Sequence, residues 1–455
     1  MEDATYDIAS LLRTIQCGRF SSPLLPNLTA LRWDVDQGLL EDVVMFMHPG
    51  MRKCEFSTYY EEDLDVKGLH FLIEAISFRM PLLTSLDMDL YPVQDYVGPL
   101  SSLCKALPSL KDISLPAFKD VSQIFTSLRS SLELRSLSMN SAVTPPASIA
   151  VSSVGGPLGD NAFPLLETVS LSVVKYESLC SFLRTNKLPN LTALTLSTIT
   201  IEKAESIRKF MSDLAQCCPL LVKLEMGLFF HTEFKQYAKV LPPVERDIIT
   251  FEDVRPALKC TEITHFSIKH PYPLSLSDPD IEAIASAWSQ LEYLHLSHKP
   301  LVQSSFDVKK PTFSSIFTLT RRCQNLRILK VVVDTTSGYT FSQSSGTFAR
   351  LTSLNVGDSP IKSINVYDVA ASLERICCSK HALKWDGTFA EHSLDKNGMN
   401  WDSRWKMVKN LIPHFSRMQE TVRNQRLRME SLEKELAATR DELLKLQKAS
   451  RIREL

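Results

Sequence analysis

The chain has 455 residues, a formal net charge of −1 and a hydrophobic fraction of 44%. This balance is ordinary for a folded protein, and it gives no support for a nucleic-acid or membrane-surface binder, which would carry a strong positive charge. The N-terminus lacks a basic stretch followed by an apolar one, and no apolar run approaches the roughly 18 residues that span a bilayer. We therefore expect neither a secretory signal nor a membrane anchor.

In chain order, the first predicted element is a short helical cap over residues 1–24. Its apolar residues Ile8, Leu11, Leu12 and Ile15 fall on one face of a helix, and a Ser-Ser-Pro break follows them. From residue 25 onward the sequence follows a repeated motif.

The repeated motif is clearest at Lys187–Ser197, where Leu-Pro is followed by an L-x-L run. Proline cannot continue a helix, and alternating apolar residues are typical of a strand with one buried face. About twelve copies occur, and in each copy the third and fifth residues after the first core residue are also apolar. The first core residues are Leu28, Met51, Leu83, Leu110, Leu134, Leu166, Leu191, Leu221, Ile263, Leu291, Leu326 and Leu351.

Segments of helical period lie between the predicted strands. Ile207–Leu214 is typical, with apolar residues at spacings of three and four, and Asp278-Pro279 predicts a helix start with a side-chain cap. The predicted helices are Leu40–Phe46, Leu69–Phe78, Leu100–Leu107, Val121–Leu128, Leu179–Leu183, Ile207–Leu214, Ile281–Trp288, Ile316–Leu319 and Val366–Ile376.

Alternating strands and helices predict an α/β fold with a parallel sheet, because each crossover returns the chain to the same end of the sheet. The copies are 23 to 42 residues apart, which is typical of leucine-rich repeats that carry insertions. We therefore predict a leucine-rich-repeat solenoid over residues 25–385, with strands on its concave face and helices outside. Stacking of neighbouring repeats stabilises such an array.

Three inserts interrupt the predicted array. Asn140–Ala162 is rich in Pro, Gly, Ser and Ala and predicts a disordered loop. Phe229–Pro256 lengthens one repeat, and Asp334–Gly346 is rich in Ser, Thr and Gly. The repeat pattern stops after Trp385, and residues 386–400 are predicted to be a linker.

Residues 401–455 predict a C-terminal helix with a coiled-coil seam, and Pro413 predicts a break or kink just before that seam. The charged pairs Arg428 with Glu433 and Glu435 with Arg440 flank the seam and are attractive in a parallel homodimer. The alternative is a helix that folds back onto the end of the solenoid. The predicted seam contains Met418, Val422, Met429, Leu432, Leu436, Leu443 and Leu446.

The ten cysteines show no spacing typical of a disulfide framework. Several occupy apolar positions of the repeats, such as Cys54 in a predicted strand and Cys104 on a predicted helix. Use of cysteine as a small hydrophobic residue is typical of a reducing compartment. The sequence therefore predicts an intracellular protein, cytoplasmic or nuclear, and favours packing over metal or redox roles for these thiols.

No catalytic motif is recognisable in the chain: it has no Gly-x-Ser-x-Gly elbow, no phosphate-binding loop and no Cys-x-x-Cys pair. His295 and His298 could chelate a metal, but no third ligand stands near them, and we interpret them as residues at the rim of a strand. Asp87 and Asp89 share a strand face without a partner base or nucleophile. We therefore predict a protein that is not an enzyme and needs neither cofactor nor metal.

Residues between the apolar positions of each strand point away from the core, onto the concave face. They are acidic in early repeats, hydroxyl-bearing in middle ones, and basic or aromatic in late ones. Such a gradient would orient a dipolar protein partner; the alternative is that these residues only serve solubility. The predicted protein-binding residues are Asp87, Asp89, Asp112, Ser136, Ser138, Thr168, Ser170, Thr195, His265, Lys269, Tyr293, His295 and Lys330.

Three stretches, 24–34, 46–54 and 281–296, resemble the leucine-rich-repeat region of fungal F-box-like proteins, and the resemblance extends over roughly residues 20–385. In that family the repeats recognise substrates for a Skp–cullin–F-box ubiquitin ligase, and an N-terminal F-box docks the adaptor. The resemblance thus implies a substrate receptor, although residues 1–24 lack the Leu-Pro-x-Glu-like opening of an F-box. The alternative function is a repeat scaffold or regulator, GTPase-regulating or cytoskeletal, without a ligase link.

Overall fold

The computed structural model describes residues 24–34, 40–58, 66–129, 131–140, 150–156, 158, 162–186, 188–228, 241–302, 308–336, 348–377, 381–385 and 400–453. Within them, thirteen strands form one sheet in which strand order follows chain order and every neighbouring pair is parallel. This confirms the predicted α/β fold with a parallel, repeat-like sheet. The strands are β1 (Ala30–Asp34), β2 (Lys53–Ser57), β3 (Ser85–Asp89), β4 (Asp112–Leu115), β5 (Ser136–Met139), β6 (Thr168–Val173), β7 (Ala193–Thr198), β8 (Lys223–Leu228), β9 (His265–Lys269), β10 (Tyr293–Leu296), β11 (Ile328–Val331), β12 (Ser353–Asn355) and β13 (Leu383–Lys384).

Helices or single helical turns connect most of these strands. The α-helices of the described residues are α1 (Leu40–Val43), α2 (Val66–Arg79), α3 (Val97–Ala106), α4 (Ser122–Leu128), α5 (Tyr176–Thr185), α6 (Ala204–Cys217), α7 (Phe251–Val254), α8 (Asp278–Ala287), α9 (Ser314–Arg322), α10 (Val366–Glu374) and α11 (Trp401–Arg453).

The predicted apolar columns form the core. In β7, Leu194 and Leu196 are buried, while Ala193 and Thr195, which precede them, are only half-buried. Leu194 lies in register with Leu224 of β8, which continues the column into the next repeat. Burying a leucine side chain stabilises the fold by about 1.5–3 kcal/mol, and no single repeat has enough surface to bury its own.

The structure adds a thirteenth strand to the twelve predicted copies. β13 has two residues, and its Leu383 pairs with Leu354 of β12. The strand was missed because a single buried leucine shows no alternation.

Two predicted inserts contain ordered structure. In the segment predicted as a disordered loop, residues 150–154 are ordered: Val151 is fully buried and bridges to Val173. In Phe229–Pro256, α7 takes the place of a repeat helix. Thr250 starts α7, and the Asp253 carboxylate accepts hydrogen bonds from its hydroxyl and its backbone N–H at 2.7 and 2.8 Å.

The start of α8 differs from its prediction by one residue. Ser277 is the cap, because its hydroxyl and backbone N–H both donate to the carboxylate of Asp280. Asp278 instead reaches the next repeat, where its two carboxylate oxygens accept hydrogen bonds from the backbone N–H and the hydroxyl of Thr312, both at 2.7 Å. A side chain predicted to cap its own helix therefore ties two repeats together.

The C-terminal helix α11 begins at Trp401 and continues through Pro413. Of the predicted break or kink at this proline, the break is therefore wrong. The packing of the first turns on the body explains this, since Trp405, Val408 and Ile412 before the proline are buried and Phe415 after it packs against the core. The predicted cap over residues 1–24 and the predicted linker over residues 386–400 lie outside the described residues, apart from Leu24 and Asn400.

None of the helices in the described ranges is both long and apolar enough to cross a membrane.

Candidate functional site

The candidate binding surface is the face of the sheet that carries no helices, which we call the open face. Because the strand order never reverses, right-handed crossovers place the helices on the same side of the sheet. The central position of each strand points to the other side, and register aligns these positions into one row, the middle column. Its members are Arg32, Glu55, Asp87, Ser114, Ser138, Ser170, Thr195, Glu225, Ser267, His295, Lys330, Asn355 and Lys384.

Register also assigns the remaining predicted residues to the open face. Asp112, Ser136, Thr168, His265 and Tyr293 lie two positions before the middle column of the same strand. Asp89 and Lys269 lie two positions after it. The structure thus brings the predicted binding residues onto one face of the sheet, where His295 is buried and the others are at least partly exposed. The role of this face in binding a protein stays a prediction.

The N-terminal part of the open face is acidic. Glu55 of β2 and Asp87 of β3 are register neighbours, and Asp89 follows on the same strand. Burial raises the pKa of Asp89, and the nearby carboxylates of Asp87 and Glu55 raise it further. The only positive charge of the middle column near them is Arg32, whose Nε lies 3.2 Å from Glu55 Oε1. We call Glu55, Asp87 and Asp89 the acidic end.

The middle of the open face carries hydroxyl groups that are partly bound to one another. The amide of Asn140 donates hydrogen bonds to Ser170 Oγ at 2.7 Å and to Ser138 Oγ at 3.1 Å, and its carbonyl accepts one from Ser172. Sequence reasoning missed Asn140 because it lies just past the end of β5, at the start of a predicted loop. A ligand in this region would compete with bonds that the protein already makes.

The C-terminal part of the open face is basic and aromatic. Lys330 Nζ of β11 lies 5.5 Å from the centre of the Tyr293 ring on β10. On the other side of β10, the ring of His265 on β9 stacks with the Tyr293 ring, with 6.0 Å between the ring centres. Lys269 of β9 and Lys384 of β13 extend the positive charge over five strands. We call Lys269, Lys330 and Lys384 the basic end.

His295 belongs to this region but is buried, with only 4% of its surface exposed. The prediction that His295 and His298 are rim residues is therefore wrong. His295 Nε2 and His298 Nδ1 are 2.7 Å apart, and Ser267 Oγ lies 3.2 Å from the other ring nitrogen of His295. Burial lowers the pKa of His295 to about 2, and His298 and the nearby lysines contribute.

The described part of the chain holds no group of three or more His, Cys, Asp or Glu side chains that could bind a metal ion. The described cysteines are buried and none is in a disulfide; burial raises the pKa of Cys54 and of Cys104 to about 12. At neutral pH the thiols of Cys54 and Cys104 therefore stay protonated, which makes these two residues poor nucleophiles and poor metal ligands.

A groove of about 1280 Å³ lies on the helical layer, between α2 and α3. Its lining includes Phe71, Phe78, Pro99 and Gly98, and it lies on the opposite side of the sheet from the open face. Neither charged end of the open face contributes a residue to it.

The seam of α11 lies on a part of the helix that has no contact with the sheet. Every residue from Ser416 to Lys445 is exposed. Exposure of the apolar seam side chains ranges from 53% to 70%, over Met418, Val422, Met429, Leu432, Leu436 and Leu443. The side chain of Leu446 lies outside the described part.

Comparison with known proteins gives little guidance. No protein-family model and no curated protein matches the chain. Among solved structures, the chain is similar to the yeast complex of Rad7 and Elc1, with a TM-score of 0.37 and 12% identity. The similarity covers 77% of this chain and 82% of that chain. At this level of similarity, we transfer neither function nor partner.

Proposed function

We propose that this chain is a non-catalytic leucine-rich-repeat protein that captures another protein on its open face. The observation that carries the proposal is the separation of charge along the open face, with carboxylates on β2 and β3 and the lysines of the basic end on β9, β11 and β13. The middle-column carboxylate of β8, Glu225, is paired with Lys223 on its own strand at 3.0 Å. Opposite charges at the two ends of one surface fix the orientation of a partner and exclude partners of the wrong charge pattern.

A finer proposal rests on the sequence resemblance to F-box-like repeat proteins. In this proposal the captured protein is a substrate, and the chain presents it to a Skp–cullin–F-box ubiquitin ligase inside the cell. The alternative is a scaffold or regulator that binds its partner without a ligase. We also propose self-association through α11, whose geometry is argued in the next subsection.

The test is affinity capture from extracts of the source organism, with three baits compared by quantitative mass spectrometry. The baits are the unaltered chain, the basic-end variant Lys269→Glu/Lys330→Glu, and the control Lys309→Glu/Lys310→Glu. The control makes the same change in net charge, in a loop outside the strands. We expect a protein that the first and third baits capture equally and that the basic-end variant captures about tenfold less.

If no captured protein distinguishes the basic-end variant from its control, the open face is not the binding surface. Recovery of the ligase adaptor and a cullin with the unaltered chain supports the receptor proposal. Recovery of the partner without them favours the scaffold alternative.

A further inference from the structure

The C-terminal helix α11 is divided into an anchored part and a free part. In the anchored part, Trp405 Nε1 donates a hydrogen bond to the carbonyl of Ser359 at 3.0 Å, and an Arg404 guanidinium N–H donates to the carbonyl of Ile361 at 2.6 Å. Among the described side chains of α11, the last hydrogen bond to the body is that of Ser416, whose hydroxyl donates to Glu374 of α10 at 3.2 Å. The position and direction of the helix are therefore fixed by the body of the protein.

The free part then extends away from the body. From Ser416 to Arg453 an α-helix is about 55 Å long. Residues 414–453 contain neither glycine nor proline, so the sequence provides no point at which the helix could turn back onto the sheet. The predicted alternative of a folded-back helix thus describes only the anchored part.

The free part exposes a stripe of large apolar side chains, and folded proteins rarely leave such a stripe uncovered. A second copy of the same helix offers a matching stripe at the same heptad spacing. The orientation of that second copy follows from the anchored part.

The seam continues toward the N-terminus of α11 through Val408, Leu411 and Phe415, which occupy the same heptad positions. Val408 is fully buried, and Leu411 and Phe415 pack against the core of the body. The body therefore fills the seam side of the helix up to residue 415. In a parallel, in-register dimer, the anchored helix and body of the second copy would have to occupy the space that the body of the first copy already fills.

An antiparallel pair keeps the two bodies apart, because they lie at opposite ends. Only residues 447–453 of the second copy reach past Phe415 of the first, and these last two turns must leave the seam there. The exposed seam is symmetric about the midpoint between Met429 and Leu432. Centring the pair there brings Met429 against Leu432 of the second copy, and Met418 against Leu443 of the second copy. Each polar seam residue, Gln425 and Thr439, then meets an apolar side chain rather than its own copy.

The charges beside the seam also fit this register. Arg428 faces Glu435 of the second copy, and Arg426 faces Glu433 of the second copy. Each pair occurs twice by symmetry, and no like charges are brought together. The pairs that favour a parallel dimer, Arg428 with Glu433 and Glu435 with Arg440, are equally attractive, so the placement of the bodies decides between the orientations.

We propose that the chain forms an antiparallel homodimer through the free part of α11, centred between Met429 and Leu432. The two open faces then lie at opposite ends of a rod of paired helices. The last turns of each helix, beyond Leu446, run toward the body of the other copy.

The mass of the full chain tests the dimer itself. Multi-angle light scattering on the eluting protein should give twice the 51.3 kDa of one chain. Leu432→Asp/Leu436→Asp places charge in the seam and should give the mass of one chain, with the circular dichroism of the body retained. A single-chain mass for the unaltered protein at tens of micromolar would overturn the proposal.

Two single charge reversals test the orientation. Arg426 faces Glu433 in the antiparallel pair but the uncharged Thr421 in a parallel one. Arg440 faces Gln419 in the antiparallel pair but Glu435 in a parallel one. We expect Arg426→Glu to weaken self-association about tenfold and Arg440→Glu to leave it unchanged. The reverse result would establish the parallel arrangement and overturn the proposal.

Disulfide trapping tests independently which residues of the two α11 helices lie opposite each other. The antiparallel pair places Gln425 opposite Leu436 of the second copy, whereas a parallel pair places each residue opposite itself. An oxidised equimolar mixture of Gln425→Cys and Leu436→Cys chains should therefore cross-link, while either variant alone should not. Cross-linking of Leu436→Cys alone would contradict the proposed register, and the unaltered chain controls for the native cysteines.

Discussion

Gly357 follows β12 in a backbone conformation that only glycine adopts easily, with φ of +47°. A Cβ atom at this position would lie 1.8 Å from the backbone oxygen of His298, which lies in the loop after β10, two repeats earlier. The same glycine donates its N–H to Asn355 at 3.0 Å. At the basic end, the loops after β10 and β12 therefore pack so closely that one side chain cannot be added.

Gly357→Ala should lower the free energy of unfolding by more than about 2 kcal/mol, because the left-handed backbone and the contact with His298 both disfavour alanine. Gly98→Ala is the control. Gly98 lies in α3 with open space around its Cβ position, and alanine there should stabilise the helix by about 0.5–1 kcal/mol. Urea unfolding of both variants measures the difference; a neutral Gly357→Ala would contradict the close approach.

Two buried histidines make stability depend on pH. Burial lowers the pKa of His295 to about 2 and that of His270 to about 4, both below the ordinary value of 6.5. Below pH 6.5 the unfolded chain therefore binds protons that the folded chain does not, and the free energy of unfolding decreases as the pH is lowered.

We expect the unfolding midpoint in urea to fall steadily from pH 6.5 to pH 4.5. His295→Gln should reduce that slope, since each such histidine contributes up to about 1.4 kcal/mol per pH unit. The imidazole proton signal of His295 in NMR should stay in its neutral position across the same range. A normal titration near pH 6.5 would show that the ring is not buried in solution.

At the scale of elements, repeats are joined by side chains as well as by the sheet. Asp278 at the start of α8 accepts hydrogen bonds from Thr312 and from the hydroxyl of Ser315, which lie at the start of the next helix. These bonds satisfy backbone and hydroxyl groups at the N-terminus of α9. One carboxylate thus orients two consecutive helices.

Asp278→Ala should destabilise the fold by about 2–3 kcal/mol, because it removes three hydrogen bonds to a charged acceptor. Asp278→Asn keeps acceptor oxygen and should lose less. Thermal and urea unfolding of the two variants provide the measurement. Equal losses would show that only the negative charge matters, and no loss in either would show that the contact is irrelevant to stability.

The elements that could be predicted from the sequence are those whose residues repeat. Leu194 and Leu224 recur at fixed positions, so their strands, register and burial follow from period alone. α7 was missed because the helix is short; its signal was the pair Thr250 and Asp253, a capping pattern three residues apart. The burial of His295 could not be predicted, because it depends on side chains from strands far apart in the sequence.

At the scale of the whole molecule, α11 closes the C-terminal end of the array before it extends outward. A chain that ends at Ser416 should keep its melting temperature, because the anchored turns remain. A chain that ends at Asn400 should melt at least 10 °C lower, since it loses the buried Trp405, Val408 and Ile412, together worth more than about 5 kcal/mol. Calorimetry at a concentration where both are monomeric makes the comparison; equal melting temperatures would rule out a capping role.

The distance between the acidic end and the basic end of the open face sets a minimum length for a partner that contacts both. Eight strand steps separate Asp87 on β3 from Lys330 on β11, which is about 38 Å at the usual spacing between strands. An extended peptide needs about eleven residues to bridge that gap. Short fragments of a partner can therefore touch one charged end at a time, and only a partner of sufficient length gains from both contacts at once.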